Sequence, residues 1–140
     1  MKALFVFIEM IFCHCFADYF LQGILASMKQ KKWWAKQAPN ISEFEKSKYT
    51  NDYRAALIAH SIEWTFVVQI PLFIFVVQSY YAFAQGLMYL LLFIYNAIAN
   101  YVIDDYKANK HKINLIQDQR LHLIQILLSW IMWWAIVGIY

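Results

Sequence analysis

Charged residues are scarce in this chain of 140 amino acids, since Asp, Glu, Lys and Arg together make up 15%. Soluble domains carry about 25%. Glycine and proline are also few, at 3 and 2 residues, which favours a helical bundle with short connections. The two-residue alternation typical of outer-membrane strands is absent. With 62% hydrophobic residues, the composition indicates an integral membrane protein rather than a soluble domain.

Cysteine is equally rare, with only Cys13 and Cys15 on either side of His14. Neighbouring residues lie about 100° apart around a helix and cannot jointly bind one metal ion. No second cysteine pair accompanies them, so we expect reduced thiols in the protein core. No glycine-rich phosphate loop is present either.

Four apolar stretches are long enough to cross a membrane, because about 20 helical residues span the ~30 Å hydrocarbon core. These stretches cover residues of about 3–28, 55–78, 82–104 and 121–139. The first is too long for a signal peptide and contains Asp18. The sequence therefore predicts an all-α, polytopic membrane protein: one domain, residues 1–140, built as a bundle of four transmembrane helices.

The basic residues predict how this bundle is oriented. Eleven of the 12 Lys and Arg residues lie in the connections 29–54 and 107–120, and the positive-inside rule makes that side cytoplasmic. Both termini would then face outward from a bacterial inner membrane. The basic rim indicates contact with anionic lipid headgroups. No nucleic-acid-binding motif accompanies it, so nucleic acid is not an expected partner.

A polar stripe runs along the first span. His14, Asp18 and Gln22 are four residues apart, so each is displaced only about 40° around a helix from the last. Ionisable groups at bilayer depth cost roughly 2.5–3.5 kcal/mol each and usually face a bundle interior. The stripe predicts a functional site facing the other helices. For this span alone, a His14–Asp18 pair that stabilises helix packing is an equal alternative.

The other three spans carry polar residues at the same end of the predicted bundle. His60 lies about one and a half turns into span two, and Glu63 follows on its face. Span three ends with Asn96, Asn100 and Asp104, and span four starts with Asp118, His122 and Gln125. Several histidines and carboxylates inside a helical bundle suit a divalent cation. Zn²⁺ is the leading candidate, with Mn²⁺ and Fe²⁺ as alternatives. Taken singly, His60 could be a hydrogen-bonded core histidine and Asp118 the N-cap of span four.

Each of these residues receives a predicted role. The metal ligands would be His14, Asp18, His60, Asp104 and His122. Hydrogen-bond partners would orient the ligands, a role that suits Gln22, Asn100, Gln119 and Gln125. Glu63 or Asp118 would act as general base, and Lys29 and Lys107 would orient an anionic substrate headgroup.

The same motifs resemble a family of bacterial and phage membrane proteins, domain-of-unknown-function family 3307. The segment HCFADYFLQ at 14–22, followed by Lys29, is similar to the opening of that family. Later family motifs correspond to His60, to Asn100 with Asp104 and Lys107, and to Asp118, Gln119 and His122. The family often has His at the position of Asn100, which is a weaker metal ligand. Its distant similarity to LexA-regulated, membrane-bound, metal-dependent hydrolases implies hydrolysis.

We therefore expect a membrane-embedded, metal-binding protein that hydrolyses a phosphoester or lipid-linked substrate at the cytoplasmic leaflet. The metal would polarise the substrate and lower the pKa of a bound water. The alternative is a non-enzymatic small membrane protein, an ion or proton path or a partner-binding subunit, whose polar cluster is structural. A bis-histidine haem site would leave the carboxylates unexplained. Membrane lipids are the expected partners. Association of the chain with further copies of itself is an alternative that the sequence leaves undecided.

Overall fold

The part of the chain described by the computed structural model, residues 2–37, 42, 49, 51–78 and 82–137, is helical apart from its connections. Helix α1 (Lys2–Phe16) runs into a π-helical turn, Ala17–Leu21, and two short helices follow. The remaining elements, in chain order, are α2 (Leu25–Met28), α3 (Lys31–Gln37), α4 (Asp52–Gln78), α5 (Ala82–Ala108) and α6 (Leu115–Val137).

Four helical segments are long and apolar enough to cross a membrane: Lys2–Leu21, Asp52–Gln78, Phe83–Ala108 and Leu115–Val137. They confirm the predicted all-α bundle of four membrane-spanning helices. Their ends differ from the predicted ones, because the first helix stops at Leu21 and the fourth begins at Leu115. Residues 138 and 139, predicted to end span four, lie outside the described residues.

The four long helices pack as a bundle with antiparallel neighbours. Helix α4 packs against α1 and α5, and α6 packs against α5 and α1. Their buried apolar core includes Met10, Trp64, Leu92, Ile126 and Trp133. Outward-facing positions are also apolar, with more than half of the surface of Phe12 and Ile98 exposed. Such an apolar exterior is what a bundle surrounded by lipid requires.

The chain after α2, at Lys29 and Lys31, contacts Asn109 at one end of the bundle, which we call the basic end. Asn109, just after α5, accepts a hydrogen bond from the Lys31 backbone N–H at 2.7 Å. At the opposite end, the Trp130 indole donates to the Ala3 carbonyl at 2.8 Å. The first span and α5 therefore end at the basic end, where α4 and α6 begin.

The first span ends in an irregular segment. The Gln22 N–H donates to the Ala17 carbonyl at 3.2 Å, five residues back instead of the four of an α-helix. Gly23 then adopts a φ of 47°, a left-handed conformation that glycine adopts most readily. The wider turn and the left-handed residue end the helix at this point and redirect the chain. Single π-helical turns occur frequently at functional sites.

Helix α6 begins with a capping box formed by Asn114 and Gln117. The Asn114 Oδ1 accepts from the Gln117 N–H at 2.9 Å, and the Gln117 Oε1 accepts from the Asn114 N–H at 3.0 Å. This reciprocal pair satisfies two backbone donors at the helix start. Asp118 is therefore not the N-cap, and that alternative is wrong. Its side chain is instead buried in the first turn of α6.

Both cysteines are free, as expected, but they do not lie in the core. Cys13 is half-buried and Cys15 is exposed. His14 between them is buried and faces the bundle interior. Because successive helical residues are rotated by about 100°, its neighbours must lie on the flanks of that face. The expectation of core thiols was therefore wrong for Cys15.

The conformation of Gly23 generates a stability prediction. Gly23→Ala should lower the free energy of unfolding by about 1 kcal/mol, because the left-handed conformation penalises a Cβ atom. That Cβ would otherwise meet only the Leu21 carbonyl oxygen at 3.7 Å. Chemical denaturation in detergent micelles measures the change.

Gly86→Ala is the matched control, because Gly86 lies within α5 and its added Cβ would only touch Val76 at 3.9 Å. Alanine is favoured over glycine within a helix, so this variant should be as stable as the wild type or more stable. Equal destabilisation by the two substitutions would contradict the assigned role of Gly23.

Candidate metal centre

Polar residues from four helices are buried together near the basic end. The fully or almost fully buried members are His14, His60, Asn100, Asp104, Asp118 and His122. The side chain of Asp18 is also nearly covered, at 6% exposure. Because buried charges and polar groups must find partners, the contacts among these side chains decide what the cluster can bind.

His14 occupies the middle of a hydrogen-bond chain. The Trp64 indole N–H donates to its Nδ1 at 3.0 Å, so that nitrogen is unprotonated. The other ring nitrogen, Nε2, lies 3.1 Å from the Gln119 Oε1 and donates its proton there. His14 is thus held as one neutral tautomer with both nitrogens in use. Its predicted role as a metal ligand would require one of these hydrogen bonds to break.

Gln119 bridges two carboxylates. With its Oε1 turned toward His14, its Nε2 donates to the Asp18 Oδ2 at 2.8 Å and reaches the Asp118 Oδ2 at 3.3 Å. The hydrogen bond from Trp64 to His14 sets the His14 tautomer, and the His14 N–H then holds the Gln119 oxygen. The Gln119 nitrogen must therefore face the two acids. Gln119 was predicted to orient the ligands, and it contacts two acidic side chains here.

Two lysines form ion pairs with acidic residues of the cluster. Lys29 is only 4% exposed, and its Nζ lies 2.7 Å from the Asp104 Oδ2. The Lys107 Nζ lies 2.5 Å from the Asp118 Oδ2. Both ammonium groups are thus engaged in ion pairs with buried acids. The headgroup-binding role predicted for them would compete with these pairs.

Asp18 has no such cation beside it. Its Oδ1 accepts from the Gln22 Nε2 at 3.2 Å. Among the described residues, its single ion-pair contact is the His60 Nε2 at 3.8 Å. His60 itself lies closer to Asp104, with 3.1 Å between Nε2 and Oδ2. Asp18 is therefore the carboxylate of the cluster whose charge is least compensated.

Asp18, Asp118 and His122 form the group of side chains best arranged to hold a metal ion. One ligand atom from each lies within 4.8 Å of the other two. The His122 Nε2 is 3.7 Å from the Asp118 Oδ1 and 3.6 Å from the Asp104 Oδ1. Ligand atoms bound at 2.0–2.2 Å lie roughly 3.0–3.6 Å apart. A small contraction of this triad would therefore produce a coordination site.

Two atoms of this triad are buried without any hydrogen-bond partner in the described residues: the His122 Nε2 and the Asp118 Oδ1. A buried polar group without a hydrogen bond costs about 1–3 kcal/mol, so a cation bound by both atoms would be favourable. The Asn100 amide lies 3.5 Å from the other ring nitrogen of His122. The amide nitrogen is the atom that faces Nδ1, so a 180° rotation of the amide is needed to place its oxygen on an Nδ1–H and leave the Nε2 lone pair free for a metal.

Two predicted site residues lie apart from the triad. Glu63 is half-buried and makes no hydrogen bond or ion pair within the described part of the chain. The Gln125 Nε2 donates to the Asn96 Oδ1 at 2.8 Å and links α6 to α5. Gln22, by contrast, contacts both Asp18 and His60. Glu63 remains a predicted general base without structural partners.

Sequence reasoning missed Trp64, which holds His14 in its tautomer. Its ring also packs against His122, with the ring centroids 5.1 Å apart. Trp64 lies four residues after His60, on the same face of α4. That spacing indicated that Trp64 shares a face with His60. A tryptophan in an apolar span is, however, also an ordinary core residue, so its role could not be recognised.

Comparisons of this chain with protein-family models, curated proteins and solved structures found no match. The resemblance to domain-of-unknown-function family 3307 therefore stays a prediction.

The buried ion pair of Lys29 generates a prediction on stability. Lys29→Met should lower the free energy of unfolding by about 3–5 kcal/mol, because it leaves the Asp104 carboxylate buried without its cation. Lys110→Met is the control, since Lys110 pairs with Asp105 at 3.0 Å but is 46% exposed. An exposed pair is screened by water and contributes far less than a buried one. Denaturation in detergent compares them, and equal losses would show that Asp104 does not depend on Lys29.

Proposed function

We propose that this protein is a membrane-embedded, metal-dependent hydrolase that acts on a phosphoester or lipid-linked substrate. The active centre would lie near the cytoplasmic leaflet of a bacterial inner membrane. One observation carries this proposal: in the triad of Asp18, Asp118 and His122, two buried ligand atoms that make no hydrogen bond within the described residues lie 3.7 Å apart.

The charges of the cluster support a bound cation. Asp18, Asp104 and Asp118 contribute three negative charges, and Lys29 and Lys107 contribute two positive ones. One negative charge is left when the histidines are neutral, and burial of an unpaired carboxylate is strongly unfavourable. A divalent cation would turn this balance to one net positive charge. That sign suits the binding of an anionic phosphoester.

The ligand types suit a transition metal. One imidazole and two carboxylates are typical ligands of Zn²⁺, which we propose as the leading candidate, or of Mn²⁺ and Fe²⁺. A cation held by Asp18, Asp118 and His122 would supply Lewis-acid chemistry, polarising the substrate and activating water. His14 and Gln119 would hold both carboxylates in position through the bridging amide.

Asp104 is the best candidate for a general base. Its Oδ1 borders the triad, 3.6 Å from the His122 Nε2, and its Oδ2 is contacted by both Lys29 and His60. A base must lie within reach of the proton that it accepts. Among the described residues, Glu63 makes no such contact, and Asp118 would be occupied as a ligand.

A purely structural role is the alternative for the rest of the polar core. Asn96, Gln125 and Ser129 hydrogen-bond one another at 2.8–3.1 Å and tie α5 to α6. Their contacts account for them without any ligand.

In the outer half of the described bundle, the buried polar side chains include Gln69 and Gln85 but none that is ionisable, which disfavours a proton path.

Elemental analysis tests the metal directly. Wild-type protein purified in detergent without chelators should hold about one divalent cation per chain. His122→Ala and Asp118→Asn should each reduce the metal content to near background, because each removes one of three ligands. His111→Ala is the control, since His111 is exposed in the connection after α5 and should retain the metal. Wild-type protein without stoichiometric metal would refute the proposal.

Hydrolysis is tested separately from metal binding. Release of phosphate or of a phosphoalcohol from phospholipid and isoprenyl-phosphate substrates should require the bound metal. Asp104→Asn should retain the metal and lower kcat by about 10²–10⁴-fold, the usual contribution of a general base. Metal-loaded wild type without turnover on such substrates would leave a binding protein and contradict the hydrolase assignment.

A further inference from the structure

An apolar groove lies on the surface of the bundle between α4 and α5. Its volume is about 390 Å³, within the range of about 300–1,000 Å³ that is usual for small-molecule sites. It is lined by Ile58, Ser61, Ile62, Ala97, Ile98 and Tyr101. These residues flank His60 and Asn100 in sequence, so the groove lies on the outside of the helices that carry the polar cluster.

The mainly apolar lining of the groove favours a hydrocarbon ligand. Ser61 is the most polar residue of α4 in the groove, and its hydroxyl already donates to the Leu57 carbonyl at 2.7 Å. Ile58 and Ile98 form walls that are 52% and 62% exposed, while the small Ala97 leaves space between the helices. A polar ligand would find no free donor on this stretch of α4. In a membrane, the hydrocarbon at hand is a lipid acyl chain.

A cationic side chain lies about one helical turn before the first groove residue of α4. Arg54 lies four residues before Ile58, so it is displaced by only about 40° on the same face of α4. It is exposed at the basic end, and its hydrogen bond goes to the Tyr53 hydroxyl at 3.3 Å. The nearby acid, Asp105, is paired with Lys110 at 3.0 Å. The guanidinium thus has donors left for a phosphate, which it binds favourably in bidentate geometry.

We propose that this groove binds one acyl chain of an anionic phospholipid, with the lipid phosphate on Arg54. Eight residues separate Arg54 from Ile62, which is about 12 Å along a helix. One leaflet of the hydrocarbon core is about 15 Å thick. A single lipid lying parallel to α4 is therefore long enough to place its phosphate on Arg54 and its acyl chain in the groove. The site goes beyond the proposed hydrolase and does not depend on metal binding or turnover.

Native mass spectrometry of the full chain tests the groove. Detergent-solubilised protein is mixed with equal amounts of phosphatidylglycerol and phosphatidylcholine of identical acyl chains. Wild type should retain one phosphatidylglycerol in preference to phosphatidylcholine. Ala97→Trp should abolish this retention by filling the groove. Ala135→Trp is the matched control on an exposed position of α6 and should behave as wild type.

A second pair of variants tests the headgroup contact. Arg54→Gln should reduce the preference for phosphatidylglycerol by about tenfold, as expected for the loss of one charge-assisted hydrogen bond. Arg120→Gln removes another exposed arginine at the basic end and should leave the preference intact. Circular dichroism and size-exclusion profiles verify the fold of each variant, and Ala97→Phe replaces Ala97→Trp if the latter does not fold.

Three outcomes would overturn the proposal: no retained lipid in wild type, undiminished retention with the groove filled, or equal preferences in the two arginine variants. None of them bears on metal content, so failure of this site and failure of the proposed function are distinguishable.

Discussion

The burial of three carboxylates inside a membrane-spanning bundle is the constraint on which the rest of the structure depends. Removing an ion from water costs several kcal/mol even after relaxation, and lipid offers no compensation. The helices must therefore bring compensating groups to the same depth. Lys29 and Lys107 neutralise Asp104 and Asp118, whereas Asp18 is held mainly by amides. This remaining charge is the physical reason to expect a cation.

The irregular features of the backbone serve the same constraint. The first span breaks after Leu21, and Gly23 turns the chain, so that Lys29 returns into the bundle to reach Asp104. At the start of α6, Asn114 caps the helix, which frees Asp118 to point inward. With these local features, Asp104 and Asp118 lie within ion-pair distance of Lys29 and Lys107.

Sequence periodicity predicted the four-helix bundle and the faces that converge, because a four-residue spacing fixes a helical face whatever the partners. It did not predict which atoms pair. The π-helical turn changes the spacing after Ala17, and no propensity rule anticipates it. Lys29 and Lys107 were predicted to orient an anionic headgroup, yet they form ion pairs with the buried Asp104 and Asp118. Lysine is normally exposed, so the sequence does not indicate such pairs. Trp64 looked like ordinary core and instead fixes the tautomer of His14.

The central claim is that Asp18, whose charge is the least compensated, holds one metal ion together with the Asp118 and His122 atoms that make no hydrogen bond within the described residues. Anomalous diffraction from crystals of metal-loaded protein tests it most directly. The account predicts a single anomalous peak about 2.0–2.2 Å from a ligand atom of each of these residues. A map without a peak among them, or with the metal bound by His14 and His60 instead, would contradict it.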